Sequence, residues 1–132
     1  MDAALRVAHA RGMGPLLVSV VDDDESIRES LPDLLREFGF AARAFSSAEE
    51  FLGSDFVTQT QCLILDIAMS GMNGPALQRE LKLRQQKIPI VFITAQRDET
   101  VRSQVLEQGA VAVVFKPFSD TALLEAVNAA LK

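Results

Sequence analysis

The chain has 132 residues and a formal net charge of −5, from 18 acidic and 13 basic side chains. This length fits one domain, which buries enough apolar surface to fold without a metal or disulfide staple. The acidic balance argues against direct nucleic-acid binding, which depends on basic side chains that neutralise phosphates. No apolar run approaches the ~20 residues of a membrane span, and the N-terminal apolar stretch is too broken for a signal-peptide core, so we expect a cytoplasmic protein without membrane contact.

The chain then divides into a short leader and a regular pattern. Residues 1–14 precede any strand pattern, and we expect them to form a flexible N-terminal tail before a domain that covers residues 15–132. From Leu16 onward, a short apolar run, a turn and a stretch with helical spacing repeat five times. The single cysteine, Cys62, opens the third run and is expected to be a buried structural thiol. The apolar runs are residues 16–21, 40–45, 62–65, 88–93 and 111–114.

The helical stretches carry their own local signals. The first contains Pro32, which predicts a kink or a loosened turn because proline removes a helical hydrogen bond. The second opens with Ser47-Ala48-Glu49-Glu50, the spacing of a capping box, and ends at Gly53. Alternation of five strands with helices predicts an α/β fold, with a doubly wound five-stranded parallel sheet and helices on both of its faces.

Polar residues end four of the five predicted strands: Asp22–Asp24, Asp66, Thr94 and Lys116. In a parallel sheet, these positions lie at one edge, where ligands and chemistry are usually found. Carboxylates without a counter-charge raise one another's pKa, and a hard cation such as Mg²⁺ relieves this repulsion. Asp66 can attack phosphorus as a nucleophile, Thr94 can donate to a phosphoryl oxygen, and Lys116 can supply positive charge.

Each of these residues taken alone has a simpler explanation. The acidic run from Asp22 to Glu25 can be a solvated turn with a helix cap, and Asp66 can simply end a strand. Thr94 can be a turn residue, and Lys116 can be a surface lysine before a proline. Their occurrence together, at four strand ends of one sheet, favours a shared function.

Four ordered segments carry a resemblance to a known family. VVDDDESIRESL, LDIAMSGMNG, FITA and VVFKPF resemble the defining segments of response-regulator receiver domains of two-component systems. FSSAEEFL and GAVAVVFKPF are most similar to the FixJ-type subgroup. The resemblance covers residues 16–132 and implies a flavodoxin-like sheet with strand order 2-1-3-4-5.

The resemblance implies a role for each matching residue. Asp66 matches the phosphoacceptor. Asp22 and Asp23 match the acid pair, with Asp23 the direct Mg²⁺ (or Mn²⁺) ligand and Asp22 acting largely through water. The backbone carbonyl of Ala68 matches a third protein ligand, so the implied metal set is Asp22, Asp23, Asp66 and Ala68.

The same resemblance implies a phosphate-binding and switch set on the later strands. Thr94 matches the switch hydroxyl, and Ala95 follows it in the phosphate-binding segment. Lys116 matches the lysine that pairs with phosphate. The Lys116–Pro117 peptide bond matches one that is cis in many members, and proline lowers the cost of that isomer.

The sequence departs from the family pattern at several positions. The position of the usual switch aromatic falls on Val113, which has no ring, so coupling from Thr94 must run mainly through backbone and loop shifts. Ser70 replaces a proline in the acceptor loop, which predicts a more mobile loop. Ala68 and Gln96 are expected to tune the lifetime of the phosphoryl group. Phe115 is expected to pack on Phe118 or on a loop, with a partner contact as the alternative.

The resemblance also implies partners. A sensor histidine kinase would donate the phosphoryl group. A downstream output domain or protein would read the face formed by the fourth helix, the fifth strand and the fifth helix, and phosphorylation would favour a homodimer. Direct nucleic-acid binding by this segment is not expected.

Two alternatives remain open at this point. An Asp-nucleophile phosphohydrolase of the haloacid dehalogenase type also forms an aspartyl-phosphate at a strand end, but it needs a second Asp where this chain has Ala68. A receiver-shaped interaction module that is never phosphorylated is favoured by Val113 and Ser70 and opposed by the intact acidic cluster. The main hypothesis is a switch that catalyses only its own phosphorylation and dephosphorylation and is otherwise not an enzyme.

Overall fold

The computed structural model describes residues 14–132, so the predicted tail, residues 1–14, lies outside the described residues except for Gly14. Strands and α-helices alternate along this part of the chain, and a 3-10 helix, Val57–Gln59, precedes the third strand. The strands are β1 (Leu17–Val21), β2 (Ala41–Phe45), β3 (Cys62–Asp66), β4 (Ile90–Thr94) and β5 (Ala112–Phe115). The helices are α1 (Glu25–Glu37), α2 (Ala48–Leu52), α3 (Gly74–Leu83), α4 (Glu99–Glu107) and α5 (Asp120–Ala130).

The five strands form one parallel sheet in the order β2-β1-β3-β4-β5. Both the doubly wound α/β fold predicted from the strand and helix pattern and the strand order implied by the family resemblance are therefore confirmed. The inner strands β3 and β4 are buried throughout, because helices cover both faces of the sheet. The edge strand β5 is half-buried along its whole length.

Two apolar layers hold the helices on the sheet. On one face, α1 and α5 contribute Leu35 and Leu123 to a cluster that includes Ile64 of β3. On the other face, Phe51 of α2 and Leu77 of α3 belong to a second cluster together with residues of β3 and β4. Each of these side chains is fully buried, and a buried side chain of this size stabilises the fold by roughly 1.5–3 kcal/mol.

Each of the five α-helices in residues 14–132 begins at the carboxyl edge of the sheet with a side chain that caps its first turn. Such a cap satisfies a backbone N–H group that has no partner within the helix. The capping residues are Asp24, Ser47, Asn73, Asp98 and Ser119. Helix α1 passes through the buried Pro32 without interruption. In residues 14–132, no helix has the length and apolar character needed to cross a membrane.

Candidate functional site

Three carboxylates meet at the carboxyl edge of the two central strands. Asp22 follows β1, and Asp66 is the last residue of the neighbouring strand β3. One carboxylate oxygen from each of Asp22, Asp23 and Asp66 lies within 4.8 Å of the others. Asp22 and Asp66 are buried, whereas Asp23 is exposed. The strand pairing therefore brings the predicted acid pair and the predicted phosphoacceptor into one cluster.

Hydrogen bonds from several elements hold Asp22 in place. Its Oδ1 accepts from the backbone N–H of Asp24 at 2.9 Å, and its Oδ2 accepts from Lys116 Nζ at 2.9 Å. The guanidinium of Arg28 donates to the Asp22 carbonyl oxygen at 3.1 Å. Lys116 Nζ also lies 3.8 Å from Asp66 Oδ1. The ammonium group at the end of β5 therefore faces both buried carboxylates and pairs more closely with Asp22.

The electrostatics of the cluster favour a bound cation. Burial, with a further contribution from the negative charge of Asp22, raises the pKa of Asp66 to about 7, although Lys116 opposes this rise. Three closely spaced carboxylates, with one ammonium group beside two of them, leave an excess of negative charge. Oxygen ligands of this kind fit a hard divalent ion such as Mg²⁺, so the residues present are suited to hold one.

The acceptor loop, residues 67–73, joins β3 to α3. The Ile67 N–H donates to the Ile93 carbonyl at 3.1 Å, and the Gly74 N–H donates to the Ile67 carbonyl at 3.0 Å. A Cβ atom on Gly74 would collide with the Asp66 carbonyl and would lie 2.9 Å from the Phe92 ring. Glycine therefore permits α3 to begin directly against the end of β3. Ala68, the predicted backbone ligand, is exposed within this loop, two residues beyond Asp66.

Thr94, the last residue of β4, turns its hydroxyl toward the following loop. Its Oγ1 accepts a hydrogen bond from the Gln96 N–H at 3.0 Å, and its carbonyl accepts from the Lys116 N–H at 2.8 Å. Ala95 and Gln96 are exposed. The Lys116–Pro117 peptide bond is cis. Thr94 and Lys116 therefore lie side by side at the edge that carries the acidic cluster.

The half-buried end of β5 carries an arrangement that the sequence did not predict. Val113 packs into the apolar layer beneath α3 and α4 and is paired with Phe92. Phe115 is paired with Thr94, and the guanidinium carbon of Arg97 lies 4.5 Å from the centroid of its ring. Phe115 thus packs on a loop residue, which was one of the two expected partners. No local sequence pattern links Arg97 to Phe115.

A second contact missed by sequence analysis involves Glu49, in the first turn of α2. Its Oε2 accepts a hydrogen bond from the Met72 N–H in the acceptor loop at 3.0 Å. In the sequence, Glu49 looks like an ordinary acidic residue at a helix start, and no pattern points to a contact with residue 72. One half of the predicted capping box is present, since the Glu50 N–H donates to Ser47 Oγ at 3.0 Å. The Glu50 carboxylate accepts from the N–H of Ser46 and not from that of the N-cap residue Ser47.

Comparison with known proteins gives consistent matches. Residues 18–128 match the family model for the response regulator receiver domain. Nodulation protein W of Bradyrhizobium diazoefficiens is 41% identical over 122 residues, which cover 92% of this chain and 54% of that protein. The transcriptional regulatory protein TdiR of Thauera aromatica is 40% identical over 114 residues, which cover 86% of this chain and 50% of TdiR. The chain spans about half the length of these curated relatives.

Two solved structures of other proteins share this fold. The crystal structure of FixJ-N superposes with a TM-score of 0.80 at 36% identity and covers 90% of this chain and 95% of that one. The response regulator StyR superposes with a TM-score of 0.81 at 43% identity and covers 87% of this chain and 58% of that one. The fold, the acidic edge and these similarities lead to one conclusion: the chain belongs to the response-regulator receiver domain family.

Proposed function

We propose that Asp66 accepts a phosphoryl group in a Mg²⁺-dependent reaction and that this modification switches the surface formed by α4, β5 and α5. One observation carries the proposal: one carboxylate oxygen from each of Asp22, Asp23 and Asp66 lies within 4.8 Å of the others, and Lys116 pairs with Asp22 and lies close to Asp66. This arrangement combines a nucleophile, a set of oxygen ligands and a counter-charge at the edge of one sheet. Phosphoryl transfer needs little beyond positioning and charge neutralisation of this kind.

The nucleophile is an Asp66 carboxylate oxygen. It forms a bond to phosphorus as the bond between phosphorus and the donor breaks, and the donor's leaving group keeps the electron pair. Asp23, Asp22, Asp66 and the Ala68 carbonyl are the proposed ligands of Mg²⁺ (or Mn²⁺). When bound, the cation neutralises the carboxylates and the phosphoryl oxygens. It also favours the deprotonated form of Asp66, whose pKa near 7 leaves part of it protonated at neutral pH in its absence.

Lys116 and Thr94 respond to the new charge. The ammonium of Lys116 already lies 3.8 Å from Asp66. A phosphoryl group on Asp66 therefore competes with Asp22 for the Lys116 ammonium. The Thr94 hydroxyl leaves the Gln96 N–H and donates to a phosphoryl oxygen, while the segment at Ala95 closes over the group. Because Gln96 directly precedes Arg97, the loop movement also reaches the Phe115 ring.

This path through the loop substitutes for the switch aromatic that the family usually has at the position of Val113. Val113 presents only two methyl groups, so its position cannot report on Thr94 by a large ring rotation. Phe115 is paired directly with Thr94 and carries Arg97 on its ring. We therefore propose that coupling runs from Thr94 through the loop to the end of β5.

We expect the lifetime of the phosphoryl group to depend on two exposed residues, Ala68, two positions after Asp66, and Gln96, two positions after Thr94. Ala68 lacks a polar group that could orient an attacking water, whereas Gln96 carries an amide two residues after Thr94. We propose that these two positions together set the rate of hydrolysis. A sensor histidine kinase is the proposed phosphoryl donor, and an output domain or a second copy of the chain is the proposed reader of the switched face.

Intact-mass measurement with acetyl phosphate and Mg²⁺ tests the function. Wild-type protein should gain one phosphoryl group, and removal of Mg²⁺ with a chelator should abolish the gain. Asp66→Asn should gain none, while Asp33→Asn, at an exposed position in α1, should match wild type. An unchanged gain in Asp66→Asn would refute the acceptor assignment.

The alternatives predict other results in the same experiment. A wild-type protein that takes up no phosphoryl group and does not bind beryllofluoride would favour an interaction module that works without phosphorylation. Turnover of a phosphomonoester far beyond one equivalent would favour a phosphohydrolase instead.

A further inference from the structure

The acceptor loop is tied to α2 by one side chain. Glu49 is the second residue of α2, and its Oε2 accepts from the Met72 N–H at 3.0 Å across 23 residues of sequence. The carboxylate lies directly over the loop backbone, because a Cβ atom on Gly71 would be only 2.9 Å from Glu49 Oε2. Gly71 also has a φ of +72°, a conformation that residues with side chains rarely adopt. The glycine thus gives the loop both its shape and its close approach to Glu49.

Few hydrogen bonds restrain the rest of this loop. Backbone hydrogen bonds of Ile67 and Gly74 fix the two ends of the loop, and the Asn73 side chain caps α3. Between Ala68 and Met72, the bond to Glu49 is the single hydrogen bond to another element within residues 14–132. Ser70 leaves its backbone φ free, whereas a proline at that position would fix it. The loop that carries the Ala68 carbonyl therefore depends on Glu49 for its central restraint.

Glu49 is itself well placed to supply this restraint. The first turn of α2 is fixed by the Ser47 cap, and the Glu50 side chain folds back onto Ser46. This leaves Glu49 as the acidic residue of that turn that is directed at the acceptor loop. The hydrogen bond from the Met72 N–H holds the pKa of Glu49 below its ordinary value, so the group is an anion at neutral pH. Charged acceptors make stronger hydrogen bonds than neutral ones.

We infer that Glu49 is a positioning residue for the metal site: by binding Met72 it restricts the acceptor loop and so presents the Ala68 carbonyl to the cation. This inference rests on the proposed function, because it takes Ala68 as a metal ligand. A loop that is already ordered loses less conformational entropy when the cation binds. Loss of the Glu49 contact should therefore weaken cation binding without removing a ligand.

Three variants distinguish the effect of losing the Glu49 contact from the effects of losing a negative charge and of destabilising α2. Glu49→Ala removes the contact. Glu49→Gln removes the same charge but keeps an oxygen that can accept from Met72. Glu50→Ala removes an equal charge from the same turn together with the hydrogen bonds to Ser46, yet leaves the loop contact of Glu49 intact. The readouts are exchange of the Met72 amide hydrogen in metal-free protein, Mg²⁺ affinity by calorimetry, and phosphoryl uptake from acetyl phosphate.

In Glu49→Ala, the Met72 amide should exchange faster, and the Mg²⁺ dissociation constant should rise about 4- to 25-fold, the effect expected when the backbone of about one further residue must become ordered on binding. Glu49→Gln should recover most of both properties, and Glu50→Ala should resemble wild type in both. Equal Met72 exchange in wild type and Glu49→Ala would overturn the inference. Faster exchange with unchanged Mg²⁺ affinity would also overturn it.

The outcomes also separate this inference from the proposed function. Wild-type protein that takes up one phosphoryl group while Glu49→Ala binds Mg²⁺ equally well would refute the role of Glu49 alone. Wild-type protein that binds no Mg²⁺ would refute the proposed function, and with it the metal-site role of Glu49.

Discussion

The guanidinium carbon of Arg97 lies 4.5 Å from the centre of the Phe115 ring, so the loop after β4 covers the end of β5. Arg97 and Phe115 are each linked to Thr94 in the structure. Phe115 is its partner across the two strands, and the Thr94 hydroxyl accepts from the backbone of Gln96, next to Arg97. A movement of the hydroxyl therefore disturbs the loop and the edge strand together.

Replacement of Arg97 should alter this connection with little effect on the fold. An exposed cation–π contact contributes about 0.5–1 kcal/mol, so Arg97→Ala should lower the free energy of unfolding by no more than that. The Phe115 ring resonances in NMR spectra should shift in the unmodified protein, and their further change on adding beryllofluoride should be smaller than in wild type. Arg84→Ala, which removes an arginine paired with Glu80 on α3, serves as control. An undiminished response to beryllofluoride would contradict this route.

Thr94→Val removes the hydroxyl and keeps the shape of the side chain. Asp66 and the acidic cluster remain, so acetyl phosphate should still add one phosphoryl group. Because no hydroxyl can then leave Gln96 for the phosphoryl group, the Phe115 resonances should no longer respond to beryllofluoride. Thr94→Ser should restore the response, and its failure to do so would show that the hydroxyl is not the connecting group.

The pKa of Asp66 predicts a stability that depends on pH in metal-free protein. Its folded-state value of about 7 lies above the ordinary 3.8, so the folded state binds more protons than the unfolded state between these values. Stability should fall as pH rises from about 4 to 7. Asp66→Asn removes this loss and should be more stable than wild type at pH 8, by roughly 2–4 kcal/mol.

Urea unfolding followed by circular dichroism, in the presence of a chelator, measures this difference. Asp33→Asn is the matched control, because the Asp33 side chain is 79% exposed. Addition of Mg²⁺ should stabilise wild type more than Asp66→Asn. If the two proteins had parallel stability profiles from pH 4 to 8, the elevated pKa would be wrong.

Lys116→Met should have opposite effects on folding and on cation binding. Without Mg²⁺, the fully buried Asp22 loses its ion-pair partner, which costs about 3–5 kcal/mol of stability at neutral pH. The same change removes an ammonium that competes for the carboxylates, so Mg²⁺ should bind more tightly and restore much of the loss. Unfolding midpoints with and without Mg²⁺ measure both effects, with Lys82→Met on the surface of α3 as control. Weaker Mg²⁺ binding in Lys116→Met would contradict the competition.

Cys62 should be unreactive in the folded protein. It is fully buried, and burial raises the pKa of its thiol to about 12, so the reactive thiolate is scarce. A thiol-specific chromogenic reagent at pH 8 should modify it at the rate of unfolding and rapidly in denaturant. Rapid modification of native protein would show that the first residue of β3 is accessible.

Much of this fold could be predicted because its signals are local. The apolar runs lie within two residues of the observed strands, and Ser47 caps α2 as its position in the sequence indicates. Parallel pairing then places the polar ends of strands at one edge, so Asp22, Asp66 and Lys116 could be grouped from the sequence alone. The 3-10 helix Val57–Gln59 was not predicted, and it has no side-chain cap that could have marked it.

The contacts that sequence could not predict join groups from elements that are distant in the chain and meet only in the folded structure. Glu49 and Met72 come from α2 and from the loop after β3, and no periodicity relates them. Arg97 and Phe115 meet because β4 and β5 are paired. The direction of the Thr94 hydroxyl is a choice among side-chain rotamers, which the identity of the residue does not determine.

The ion pair between Lys116 and Asp22 joins positions 94 residues apart in the chain. During synthesis, the ribosome releases both buried carboxylates long before it releases the lysine at the end of β5. A nascent chain thus carries Asp22 and Asp66 without the ammonium group that faces them in the finished protein. The acidic edge can close only after all five strands have been translated, so its ion pair forms late in the synthesis of this domain.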